Sequence, residues 1–80
     1  MTYLEFNTRR LETQADIVCQ DGVFLGERET LFFEISLFQV EGFYVEVFYH
    51  KLYKTTLFEG FENTGLLYPY LKEISLAGLF

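Results

Sequence analysis

The sequence predicts an α+β fold with an N-terminal helix, a three- to four-stranded antiparallel β-meander and a short C-terminal helix. Two observations predict it. Two apolar runs meet at Val40-Glu41-Gly42, a pattern typical of a β-hairpin. Segments with helix-forming signals lie before and after the strands. Because the chain has 80 residues, we expect one small domain over residues 1–80.

The first helix is expected within residues 8–20. Apolar residues recur with helical spacing from Leu11 to Cys19. Thr8 can act as the N-cap, and Gly22 stands where a left-handed residue would end the helix. The predicted helix places Cys19 on its apolar side, so we expect a buried and unreactive thiol.

The same residues also support a strand. Apolar and polar side chains alternate from Leu11 to Cys19, and Asp21-Gly22 could form a hairpin turn. The content of Glu, Gln and Ala favours the helix over this alternative.

Strands are expected on both sides of the hairpin. Residues 23–28 form a short strand, in which Gly26 suggests a bulge or bend. Residues 51–54 are interpreted as a turn, and the last strand follows over residues 55–62. Gly60 weakens that strand and leaves room for a bulky neighbour.

The hairpin turn determines which side chains share a face of the sheet. We expect a three-residue loop over residues 40–42, with Gly42 at positive φ, which places Leu37 opposite Val45. A two-residue loop, Glu41-Gly42, would place Glu46 opposite Leu37 and bring charge into both faces. The three-residue loop is preferred because it leaves one face without charge. If pairing continues through the turn at 51–54, Phe58 joins this charge-free face with Val47, and Leu57 joins the other face with Phe48.

The second face of the predicted hairpin mixes aromatic and acidic residues. A face that is half aromatic is expected to be covered by another element or by a partner. The candidate interaction residues on it are Phe32, Phe38, Tyr44, Phe48 and His50. The carboxylates that could stand at its rim are Glu34 and Glu46.

Composition restricts the function. Half of the residues are hydrophobic, one in five is aromatic, and the net charge is −6 with six basic residues. Binding to nucleic acid or to an anionic membrane requires clustered Lys and Arg, so we expect neither. One cysteine and the absence of a signal-peptide pattern at the start predict a cytoplasmic protein.

No residue pattern predicts catalysis. His50 is the one histidine and cannot form a two-histidine metal site, and we interpret it as a surface or packing residue. Glu34 and Glu46 are interpreted as solubilising residues rather than as a catalytic pair. We therefore expect no catalytic residue, no metal, no cofactor and no enzymatic activity.

A resemblance adds to this prediction. The segments DGVFLGER, LFQVEGFYVEVFYHK and LLYPYLKEI occur in this order, with a C-terminal helix starting near Pro69. This order resembles a family of short uncharacterised bacterial proteins with a FYVEV-type central strand and a C-terminal PYL-type segment. The resemblance covers residues 9–77 and implies the order helix, antiparallel sheet, helix. It implies no activity.

We therefore expect a small non-enzymatic protein that acts through self-association or protein–protein interaction. The concrete form of this prediction is a homodimer that buries the mixed face or a sheet edge. The alternative is a binding module for a small apolar or aromatic ligand, with a pocket framed by Gly60 and aromatic residues.

Overall fold

The computed structural model describes residues 1–70, which form an α+β fold with four antiparallel strands. The helices α1 and α2 precede the sheet, and a 3₁₀ turn and the helical residues 68–70 follow it. The elements are α1 Tyr3–Asn7, α2 Leu11–Asp21, β1 Gly22–Glu29, β2 Phe33–Val40, β3 Phe43–His50, β4 Thr56–Phe61 and the 3₁₀ turn Thr64–Leu67. The predicted fold class is confirmed, although most of the predicted C-terminal helix lies outside the described residues.

The α1 helix is held by a capping box. The Thr2 hydroxyl accepts a hydrogen bond from the Glu5 amide at 3.2 Å, and the Glu5 carboxylate accepts one from the Thr2 amide at 2.8 Å. Thr8 ends this helix, and its hydroxyl donates to the Glu5 carbonyl at 2.7 Å. The prediction that Thr8 is the N-cap of the next helix is therefore wrong, because the chain uses Arg10 there.

The α2 helix passes into β1 without a loop. Gly22 follows the helix directly and has an extended φ of −79°, so the predicted left-handed conformation is wrong. A Cβ at this position would lie 2.4 Å from the carbonyl oxygen of Val18. Glycine is required here by the close approach of the helix backbone rather than by a positive φ.

The hairpin between β2 and β3 has a two-residue loop, Glu41-Gly42, and the predicted three-residue loop is wrong. Glu41 has the positive φ, at 51°, whereas Gly42 has none. Val40 is completely buried as the last residue of β2, opposite Phe43, and it would leave the core if it were part of the loop. The register follows from burying Val40.

In the observed register, each β2 side chain lies on the opposite face of the hairpin from the one predicted relative to β3. Side chains directly opposite each other share a face, so Leu37 and Glu46 lie together. The predicted sorting of β3 against β4 is right, since Val47 lies opposite Phe58 and Phe48 lies opposite Leu57. Because one strand is inverted, neither face is free of charge.

Each face of the sheet has a hydrophobic core. The helices pack on the first, which we call the helical face, with buried Phe6, Val18, Val40, Phe43 and Val45. The chain after β4 packs on the second, which we call the opposite face, with buried Leu37, Phe61 and Tyr70.

The sheet order β1-β2-β3-β4 makes β1 and β4 its edges. In β1 the register shifts between Phe24 and Gly26, which makes Leu25 the extra residue of a bulge and confirms the expected irregularity near Gly26. In β4 the space beside Gly60 holds the ring of Phe6 and the side chain of Asn7, so a bulky neighbour is present as expected.

Candidate functional site

The five predicted interaction residues do not share one face. Phe38 lies on the helical face, opposite Val45, and packs against that core. Tyr44, Phe48 and His50 lie on the opposite face, and Phe32 precedes β2. The predicted mixed face is therefore wrong, because the two-residue loop moves the β2 side chains to the other face relative to β3.

Glu34 and Glu46 lie on different faces of the sheet. Glu34 is exposed and lies opposite Tyr49 on the helical face, whereas Glu46 is buried beside Leu37. With a sheet between them, the two carboxylates cannot act on one substrate atom.

Glu46 is 7% exposed, and neighbouring side chains compensate its negative charge. Its Oε2 accepts a hydrogen bond from Arg28 Nη2 at 3.1 Å and one from the Tyr70 hydroxyl at 2.7 Å. Burial, together with the hydrogen bond donated to Glu46, raises the pKa of Tyr70. This network explains how a charge is accommodated at a buried position, which the preference for a charge-free face did not anticipate.

Two loops meet at one end of the sheet, the end opposite the hairpin turn. The loop after β1 and the loop after β3 are joined by the Lys51 amide, which donates to the Phe32 carbonyl at 2.8 Å. The Lys51 ammonium contacts the Glu29 carboxylate and donates to the Thr30 carbonyl at 3.0 Å. These bonds fix the two loops relative to each other.

His50 organises the second of these loops. Its Nδ1 accepts hydrogen bonds from the amides of Leu52 at 3.2 Å and Tyr53 at 3.1 Å. An Nδ1 that accepts two bonds carries no proton, so the ring is in the Nε2–H form. This role agrees with the interpretation of His50 as a packing residue.

Aromatic rings surround the imidazole of His50. Phe32 is stacked on it at 5.8 Å between centroids, Phe33 meets it edge-on at 4.9 Å, and Tyr53 lies at 4.6 Å. The four rings therefore form one packed cluster at this end of the sheet, which we call the aromatic cluster.

Four apolar side chains in or next to the aromatic cluster face solvent. Leu31 is 82% exposed and Tyr53 is 71% exposed, and Phe32 and Leu52 are also more than half exposed. We call these four residues the loop-end patch. Leu52 and Tyr53 lie in the turn predicted over residues 51–54, and apolar residues in a turn remain exposed, which is the sequence signal for this patch.

An open depression lies on the sheet near the patch. It has a volume of about 450 Å³ and is lined by Asn7, Phe33, Phe48, Leu57, Phe58 and Glu59. The expected rim carboxylates do not line it, and Gly60 does not frame it because Phe6 and Asn7 fill the space beside that residue.

Other chemistry is limited in the described part of the chain. Cys19 is exposed, so the expectation of a buried thiol is wrong. Residues 1–70 contain no group of three His, Cys, Asp or Glu side chains placed to hold a metal ion. None of the helices within these residues has the length and apolar character needed to cross a membrane.

Comparisons with protein families, with curated proteins and with solved structures find no match for this chain.

Proposed function

We propose that the protein acts through protein–protein association and that its loop-end patch contacts a second copy of the chain. The observation that carries this proposal is the exposure of Leu31, Phe32, Leu52 and Tyr53 at the aromatic cluster of His50. Exposed apolar residues grouped in this way are a mark of interaction sites. Catalysis and a cofactor are not needed for such a role, and a cytoplasmic location stays a prediction.

Charge supports a second copy as the occupant. Lys51 and Lys54 lie within the second loop, and the acidic Glu29 lies at the end of β1 beside it. In a two-fold contact the same surface is used twice, so a surface that carries both signs can be complementary to itself. A surface of one sign would repel its copy.

The test is the mass in solution. Size-exclusion chromatography with light scattering should give a dimer mass, twice 9.5 kDa, for the wild-type chain. The Leu31→Ser/Leu52→Ser double variant should give the monomer mass of 9.5 kDa. Leu4→Ser is the matched control, because Leu4 is similarly exposed on α1, and it should remain a dimer. A monomeric wild-type chain at millimolar concentration would overturn the proposal.

The one cysteine of the chain locates the contact. Cys19 is exposed near the start of β1, at the hairpin end of the sheet. An eight-residue strand spans about 26 Å, so spin labels on two Cys19 residues should lie more than about 40 Å apart if the copies meet through the loop-end patch. A shorter distance would place the contact elsewhere.

A second candidate function is the binding of a small apolar ligand. The depression of about 450 Å³ has the size of a ligand site and is lined by Phe33, Phe48 and Leu57. Titration with indole, followed by NMR, should give saturable shifts of the Phe33 and Phe48 ring signals. Unchanged ring signals at millimolar indole would remove this candidate.

A further inference from the structure

The two edges of the sheet differ in how they are protected. On β4, the Asn7 side chain hydrogen-bonds both backbone groups of Gly60, at 2.9 Å and 2.7 Å. On β1, none of the described residues pairs with the outer side of the strand. Edge strands expose unpaired backbone groups that can pair with another chain. The Asn7 bonds occupy only the groups of Gly60, but β1 has no such contact within residues 1–70 and is therefore the more accessible edge.

The accessible edge is also apolar. Val23, Phe24 and Leu25 are consecutive and are 62%, 55% and 41% exposed. Phe24 packs edge-on against Phe38 at 5.7 Å, which leaves part of its ring uncovered. Natural edge strands commonly carry charge at such positions. The bulge at Leu25 interrupts this edge, and the charged residues of β1, Glu27, Arg28 and Glu29, lie beyond it.

Acidic residues stand on both sides of this apolar run. Asp21 precedes it and Glu27 follows it, and both are exposed. Arg28 and Glu29 also follow it, but they are already paired with Glu46 and Lys51. Two copies paired antiparallel about Phe24 would bring Glu27 of one toward Asp21 of the other, where α2 ends, and like charges brought close together are destabilising. The charges disfavour a second copy and favour a strand with basic ends.

We propose that β1 binds an extended segment of a partner protein, with apolar residues in its middle and Lys or Arg near its ends. Main-chain hydrogen bonds to the strand edge would supply affinity, and the apolar and basic side chains would supply selectivity. Val23 and Phe24 point to different faces of the sheet. Two successive apolar residues of the bound segment would therefore pack against one of them each. This inference concerns a surface separate from the loop-end patch.

The experiment uses a fluorescein-labelled peptide, Lys-Thr-Val-Val-Val-Thr-Lys, and the full chain at low salt. Fluorescence anisotropy should show saturable binding, and a peptide with Glu at both ends should bind at least about ten-fold more weakly. A peptide with proline in the centre should not bind, because proline removes a backbone donor. Equal binding of the Lys and Glu peptides, or no binding, would overturn the proposal.

Matched variants locate the binding. Val23→Lys should weaken the binding of the Lys peptide by at least about ten-fold, since it places a positive charge on the edge strand. Leu57→Lys is the control, because Leu57 is equally exposed on β4, and it should leave binding unchanged. Peptide-induced amide shifts confined to β4 or to the loop-end patch would contradict the proposal.

Binding of the Lys peptide to β1 does not depend on the proposed dimer. The Leu31→Ser/Leu52→Ser variant should bind the Lys peptide as the wild-type chain does, whether or not it dimerises. Concentration-dependent amide shifts on β1 without peptide would identify a second copy as its occupant and overturn the inference.

Discussion

The carboxamide of Asn7 donates a hydrogen bond to the Gly60 carbonyl at 2.9 Å and accepts one from the Gly60 amide at 2.7 Å. A side chain at the end of α1 thus satisfies the backbone groups that a fifth strand would otherwise pair. Gly60 permits this approach, because a Cβ there would lie 3.1 Å from the Phe6 ring and 3.2 Å from the Asn7 oxygen. The contact joins the N-terminal helix to the last strand.

Asn7→Ala should lower the free energy of unfolding by about 1–3 kcal/mol, because it leaves two partly buried backbone groups without a partner. Urea unfolding followed by circular dichroism measures this change. Gln20→Ala, which removes an exposed amide from α2, is the control and should change stability by less than about 0.5 kcal/mol. Equal effects of the two variants would show that the Asn7 hydrogen bonds do not stabilise the fold.

Gly22→Ala should destabilise the chain by about 1–3 kcal/mol, because the added Cβ meets the Val18 carbonyl oxygen at 2.4 Å and the junction must shift. Gly26→Ala, in the same strand, is the matched control. Its Cβ would make an ordinary 3.5 Å contact with the Tyr70 ring. Thermal unfolding should therefore show a lower midpoint for the first variant alone, and a stable Gly22→Ala variant would contradict the close approach.

Glu41→Asn should stabilise the chain by about 0.5–1 kcal/mol, because asparagine tolerates the left-handed conformation that Glu41 adopts at φ 51°. Glu41→Gln is the control, since it removes the same charge without the same backbone preference. The ion pair of Glu41 with the N-terminal ammonium, at 3.3 Å, is lost in both variants. A gain of equal size in both would point to charge rather than to backbone conformation.

Alkaline pH should destabilise the fold through Tyr70. Its pKa is raised by burial and by its hydrogen bond to Glu46, so the folded chain holds the phenolic proton more tightly than the unfolded chain. The resulting stability is complete below the ordinary tyrosine value of about 10 and is lost as pH rises above it. Urea unfolding between pH 8 and 11 measures this loss.

Tyr70→Phe should flatten that pH dependence and should lower stability at pH 8 by about 1–3 kcal/mol, because the buried carboxylate loses a donor. Tyr68→Phe is the control, since Tyr68 is exposed, and it should retain the alkaline loss. A wild-type slope that persists in Tyr70→Phe would assign the effect to other groups.

The Nε2–H form of His50 is directly observable. Long-range ¹H–¹⁵N correlation spectra at pH 8 should show the nitrogen shifts of that tautomer, because Nδ1 accepts from the amides of Leu52 and Tyr53. His50→Ala should open the loop and increase tryptic cleavage after Lys51 and Lys54. Leu4→Ser, which changes no residue near the loop, should cleave at the wild-type rate.

The sequence was sufficient for the order of elements and for the faces on which the β3 and β4 side chains lie. Alternation places Val47 with Phe58 and Phe48 with Leu57, and the structure has these pairs. It was insufficient for β2, because the choice of loop rested on keeping charge away from Leu37. The partners that neutralise Glu46 are 18 and 24 residues distant, and local pattern carries no information about them.

The candidate site was predicted only in part. His50 was correctly interpreted as a packing residue, but Leu31, Leu52 and Tyr53 were not among the expected interaction residues. Their exposure depends on two loops that meet at one end of the sheet, which requires the three-dimensional arrangement. The protection of the β4 edge was not predictable either, because Asn7 and Gly60 are 53 residues apart.

The Asn7 contact on β4 works against the joining of molecules through their strands. A fibril grows only if every subunit offers two places for a new strand, one for the chain above and one for the chain below. Within residues 1–70, a strand added at β4 could not form main-chain hydrogen bonds with Gly60, because Asn7 already occupies both of its groups. Removing the Asn7 carboxamide would free these groups and favour polymerisation.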